Sequence, residues 1–184
     1  MNRGAKLILS TAALFVLLSA AALLPSRATA ADEVYLPAKT FLAESFDGDV
    51  PKPEVLWITG QTRDAVQKIL GHSPGAVRVR YWARGVRTAW ILEEIGKTQP
   101  ITTGIVVDQG AIARIAVLIY RESHGWEVRY PFFTGQFKGA TLSSTHQLDR
   151  NIDGISGATL SVRALTRLAR VALLLDAKVR EPVR

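Results

Sequence analysis

Between Val77 and Arg121 the chain reads as four successive strand-like runs joined by very short connections, and few folds accept that pattern. Val77-Arg78-Val79-Arg80-Tyr81-Trp82 alternates strictly between apolar and polar residues, as a half-buried strand does. Arg84-Gly85 marks a turn into Val86–Ile95. Asp108-Gln109-Gly110 is a short hairpin loop between Ile101–Val107 and Ala111–Arg121. Strands that arrive consecutively with short connections pair as neighbours, so the sheet is expected to be mainly antiparallel. One helix is expected to start near Thr59-Gly60-Gln61-Thr62, run through Arg63–Leu70 and stop at Gly71; a longer one closes the chain from about Leu160 to Ala177. The fold class is therefore α+β, an antiparallel sheet packed with helices on one side. Trp126–Tyr130 reads as a fifth strand, Phe132–Phe137 as an aromatic stretch under a loop, and Asp32–Pro53 as a polar connector or extended segment.

Met1–Ala30 does not read as part of this globule. Arg3 and Lys6 precede the uncharged run Leu7–Leu24, Pro25 breaks it, and Ala28-Thr29-Ala30 is a small-residue cleavage signature. That is the layout of a secretory signal peptide. An uncharged, mostly apolar run of eighteen residues is also close to the shortest membrane span, so an uncleaved N-terminal anchor, associating with the membrane through residues 7–24, is the other reading. Without a twin arginine, Sec-type export is the simpler expectation, which places the remainder in the periplasm or on the extracytoplasmic face of the membrane. The organisation expected is residues 1–30 as signal or anchor, 31–90 as the N-terminal part of the globular domain without a recognised motif, and 91–184 as its motif-bearing part.

The composition then excludes whole classes of chemistry. The chain has no cysteine, and Met1 is its only methionine. Disulfides, thiolate zinc sites, iron–sulfur clusters and c-type haem attachment are ruled out, as is any Met-ligated metal. His72, His124 and His146 show no metal-ligand spacing. The formal charge of +7 arises from 23 basic and 16 acidic residues; without Arg3, Lys6 and Arg27 it falls to 20 − 16 = +4. An excess of that size is an ordinary surface, and no nucleic-acid partner is expected.

Two motif fragments fail. Gly96-Lys97-Thr98 looks like the end of a phosphate-binding P-loop, but Ile91 stands where the first glycine belongs, and the residues before it read as a strand; a strand end and turn is the better account. Gly154-Ile155-Ser156-Gly157-Ala158 is one residue off a nucleophile elbow, yet no histidine follows it and no strand leads into Ser156.

Asp153-Gly154-Ile155-Ser156-Gly157-Ala158-Thr159-Leu160-Ser161 is the informative stretch. It is a small-residue loop feeding directly into the final helix. Gly154, Gly157 and Ala158 allow a bulky group close to the backbone. Ser156, Thr159 and Ser161 bring hydroxyls to a helix N-terminus, whose unpaired N–H groups favour an anion. Arg163, four positions after Thr159, could face the same spot. The plainer reading is that Ser156 or Thr159 merely caps the helix; the residues alone leave both open.

This stretch resembles the attachment motif of the FMN-binding domain family, Asp-x-x-Ser/Thr-Gly-Ala-Thr/Ser, whose members include flavin-bearing subunits of the sodium-translocating NADH:quinone reductase and of the Rnf electron-transport complex. Asp153, Ser156, Gly157, Ala158 and Thr159 fit it without departure. The paired strands upstream and Phe132-Phe133-Thr134-Gly135-Gln136-Phe137 are similar more loosely. The resemblance implies FMN carried as a phosphoester on Thr159, delivered from FAD by a flavin transferase. Asp153, Ser156, Gly157 and Ala158 would be recognised by that transferase and line the phosphate end, and Leu160, Ser161 and Arg163 complete the cofactor-binding set.

On that basis the expected function is electron transfer by an exported flavoprotein, with membrane or periplasmic redox proteins as partners. A reductase of a small acceptor, or a non-catalytic flavin-sensing or assembly subunit, are the other function classes. Gly-x-Gly-x-x-Gly is absent, so no nicotinamide site is expected. Trp126, Phe132, Phe133 and Phe137 are candidates to flank the flavin ring, each against the alternative of an ordinary core aromatic. Arg163, Arg167 and Arg170 share one face of the closing helix and are read either as a solvated face or as a dock for an acidic partner.

Overall fold

The computed structural model describes residues 33–181. The leader assigned to residues 1–30 lies outside them. Six strands form one antiparallel sheet in the order β1-β6-β5-β4-β3-β2. They are β1 (Glu33–Val34), β2 (Pro53–Trp57), β3 (Arg78–Arg84), β4 (Arg87–Ile95), β5 (Pro100–Asp108) and β6 (Ala111–Tyr120). The four strand-like runs are thus β3 to β6, at the expected places. The 90/91 division of the sequence falls within β4, which pairs continuously with β5 from Arg87↔Asp108 to Ile95↔Pro100.

Two helices cover one face of the sheet. Helix α2 (Gly60–Leu70) ends at Gly71, whose φ of 80° is the left-handed closure that glycine adopts without strain. Helix α4 (Thr159–Arg180) turns Leu165, Leu168, Ala169, Ala172 and Leu175 to the sheet, an i, i+3, i+4, i+7 stripe. Beneath them lie Trp90, Ile101, Ile105, Val107 and Ile115, with Tyr81 stacked on Trp90 across β3 and β4 at 5.0 Å between ring centroids. Among the described residues no helix is long and apolar enough to cross a membrane.

Three local expectations are corrected. Asp32–Pro53 is not merely a connector: helix α1 (Ala38–Ser45) puts Phe41, Leu42 and Phe46 on the opposite sheet face, against Ala89, Val106 and Leu118. Helices therefore lie on both faces. The sheet accepts α1 because Gly104 leaves room for it: a Cβ there would stand 2.7 Å from the Phe41 ring. Trp126–Arg129 is one turn of 3-10 helix rather than a strand. Gly125, at φ 88°, breaks the extended backbone before it, and Pro131 begins helix α3 (Pro131–Thr134) directly after. Within this aromatic stretch Phe133 and Phe137 are fully buried and meet edge to face, whereas Phe132 is 63% exposed.

The arginine face of α4 is not a single solvated stripe either. Arg167 pairs at 3.3 Å with Glu94, whose side chain is only 3% exposed. Arg170 donates from Nε to the His146 carbonyl at 2.5 Å, and burial, then Arg167, lowers its pKa. Of the three, only Arg163 projects into solvent without a partner among the described residues.

His72, just past α2, completes this cluster, with Nε2 3.0 and 3.2 Å from the two Glu94 oxygens. The bond to Glu94, then the Ser73 carbonyl, raises the imidazole above its ordinary value. A raised folded value means the contribution is complete below about pH 6.5, the unfolded value, and is lost as pH rises through the folded one. Half the imidazole is in solvent, so the effect should stay under about 1 kcal/mol. Urea denaturation of wild type and His72→Gln should show a stability gap near about pH 5.5 that closes near about pH 8.5. A gap independent of pH would show that the pair is held without the imidazolium charge.

Candidate functional site

The antiparallel topology brings three segments to one end of the sheet. The turn Gly96–Gln99 joins β4 to β5, the loop 121–125 leaves β6, and α4 begins there at Thr159. Between them is a cavity of about 490 Å³ lined by Lys97, Glu122, Ser123, His124, Gly157, Ala158, Thr159, Leu160 and Ser161.

Thr159 is exposed and is the first residue of α4. The cap position is Ala158, and no side chain bonds the amides of the first turn. Neither Ser156 nor Thr159 therefore spends its hydroxyl capping the helix, which disposes of the plainer reading of those residues. Of the four unpaired N–H groups that begin any α-helix, those here face no competing side-chain acceptor. Gly157, at φ 81°, turns the chain into the helix, and nothing lies within 4 Å of where its Cβ would be. The approach to Thr159 over Gly157 is open.

The back wall is rigid. The Tyr120 hydroxyl donates to the His124 carbonyl at 2.6 Å, so Ser161, 2.8 Å away, is its donor. Burial raises the Tyr120 pKa, and the phenol stays neutral. Gly125 packs so tightly here that a Cβ would stand 2.9 Å from both hydroxyls. Ser161 and Ala158 are buried in this wall, while Leu160 is exposed at the rim. The wall ties the end of β6 to the first turn of α4.

Asp153, Ser156 and Arg163 do not line the cavity. Asp153 sits in the loop before it, anchored by its amide donating to Gln136 Oε1 at 2.7 Å. Ser156 occupies the turn ahead of Gly157, and Arg163 lies one turn into α4, in solvent. Of the aromatic candidates, Phe133 and Phe137 belong to the core and only Trp126, 40% exposed, and Phe132 are open to a ligand. Conversely, sequence reasoning did not bring Lys97, Ser123 and His124 to this site. Their only signal is topological: in an antiparallel sheet the β4–β5 turn and the end of β6 share an edge.

The donor set suits a phosphate. It consists of an open helix N-terminus, a free threonine hydroxyl, a lysine and small residues that permit close approach. Among the described residues no cluster of histidine and carboxylate groups could hold a metal ion. Compared with known proteins, residues 96–174 match the FMN-binding domain family, from the β4–β5 turn through most of α4. No curated protein matches the chain.

Proposed function

Residues 96–174 match the FMN-binding domain family, and from that premise we propose that the chain is an exported flavoprotein that carries FMN as a phosphoester on Thr159 and transfers electrons. The observation that carries this reading is the exposed Thr159 hydroxyl at the uncapped N-terminus of α4, facing the cavity. In the attachment step Thr159 Oγ attacks the flavin-side phosphorus of FAD on a flavin transferase. One P–O bond forms, the pyrophosphate P–O bond breaks, AMP leaves and the hydroxyl proton is released. The α4 amides then neutralise part of the remaining phosphate charge.

Attachment through the phosphate leaves the isoalloxazine chemically free, so the surrounding side chains set its potential. It also suits a protein outside the cytoplasm, where a dissociable flavin would be lost by dilution. The run Leu7–Leu24 supports export, by a Sec-type signal or as a retained anchor at the extracytoplasmic face. Membrane or periplasmic redox proteins would then be the electron donor and acceptor.

Co-expression with a flavin transferase should give a protein whose yellow fluorescence survives denaturation. Its intact mass should exceed that of the bare chain by one FMN less one water. Thr159→Ala should abolish both signals while melting at the wild-type temperature, since this side chain supports no cap. A wild-type chain that stays colourless beside an active transferase would end the covalent reading.

A further inference from the structure

We propose that Lys97 is a ligand of the cofactor's phosphate and that Glu122 is the positioning residue that holds it at the cavity. The inference rests on the Thr159 reading. The fragment Gly96-Lys97-Thr98 is no P-loop, yet its backbone does build an anion nest of the kind that successive N–H groups form. The amides of Lys97, Thr98 and Gln99 all donate to one oxygen of Glu122, Thr98 at 2.6 Å and Gln99 at 2.9 Å. The Thr98 hydroxyl donates to the other oxygen at 3.1 Å. Burial pushes the Glu122 carboxyl up, but these donors outweigh it and hold it below its ordinary value. Gly96 is required by the arrangement, because a Cβ would meet Glu122 Oε1 at 2.9 Å and Ile101 Cδ1 at 3.0 Å.

The consequence is electrostatic. Glu122 stands on the cavity wall, but its charge is absorbed by main-chain amides and by a hydroxyl. Among the described residues the neighbouring Lys97 ammonium has no carboxylate partner, and Lys97 lines the same cavity as Thr159. The turn thus fixes the backbone of Lys97 rigidly while keeping its side-chain charge available. A phosphodiester on Thr159 carries one negative charge, of which an open helix N-terminus offsets about half. Lys97 supplies the remainder, in a charge-assisted hydrogen bond.

The test follows loading of the purified full chain, incubated with FAD and a flavin transferase and sampled by intact mass. The phosphorus resonance and the midpoint potential of the loaded protein are then recorded. Lys97→Gln should slow loading roughly tenfold, the scale of one hydrogen bond to a charged group, and shift the phosphorus resonance. Its melting temperature should be that of wild type, because Lys97 is exposed. Lys97→Arg should restore most of the rate. Glu122→Ala should reproduce the loss, and the double variant should load no more slowly than Lys97→Gln, since Glu122 acts through Lys97. A Lys97→Gln chain that loads at the wild-type rate with an unchanged resonance overturns the proposal. So does a change confined to the midpoint potential, which would place the ammonium against the ring instead. A wild-type chain that never loads overturns the Thr159 reading itself.

Discussion

Arg180→Ala is expected to lower the free energy of unfolding by about 3 kcal/mol, through the charge it strands rather than the contact it removes. Asp176 is 1% exposed, under the C-terminal half of α4. Its oxygens accept from Arg180 Nε and Nη2, both at 2.8 Å, and from the Thr88 hydroxyl at 2.6 Å. Trp90 Nε1 donates to that hydroxyl in turn, at 2.9 Å. Without the guanidinium, one neutral donor would face a buried carboxylate. Arg180 is partly in solvent and water can follow it out, which sets the figure at the lower end for a broken buried pair. Urea denaturation at neutral pH measures the loss. Asp176→Asn combined with Arg180→Ala should recover part of it, because no charge is then left unpaired. A loss below about 1 kcal/mol would show that the carboxylate is already hydrated.

Gly125→Ala should cost a similar amount, about 3 kcal/mol, and should also disturb the cavity. Two penalties combine: a side chain at φ 88°, and overpacking against the bonded Tyr120 and Ser161 hydroxyls. Tyr120 is a core residue and cannot retreat, so the first turn of α4 must move and carry Thr159 with it. Gly157→Ala provides the contrast. Its φ is 81°, but nothing surrounds the position, so only the backbone term of about 1 kcal/mol applies. Thermal melts should separate the two variants, and flavin loading should fall more sharply for Gly125→Ala. Equal melting temperatures would mean that the wall yields without cost.

Much of this architecture is legible in the residues because it depends on local periodicity. The run at β3 alternates, short turns separate it from the apolar runs at β4 to β6, and Gly71 stops α2 as its left-handed closure requires. What escapes is what tertiary contact decides. Helix α1 is short and follows a polar, proline-containing stretch, and only the vacancy over Gly104 gives Phe41 a place. The spacing of Arg163, Arg167 and Arg170 on one helix face is real, but spacing cannot reveal Glu94 or the His146 carbonyl waiting for two of them. The same holds at the cavity. The small residues and hydroxyls around Thr159 stand together in the sequence, whereas Lys97 and His124 reach them only because β5 lies between β4 and β6.

The two-residue strand β1 has a consequence for reach. Glu33 pairs with Tyr120, whose hydroxyl is bonded to Ser161 in the cavity wall. The chain therefore enters the globule beside the strand end that supports the site. Were the run ending at Leu24 kept in a membrane, eight residues, 25–32, would connect the bilayer to that strand, at most about 28 Å when fully extended. A redox centre on Thr159 would then work within a leash-length of the lipid surface, sweeping a shallow layer above it rather than the full volume outside the cell membrane.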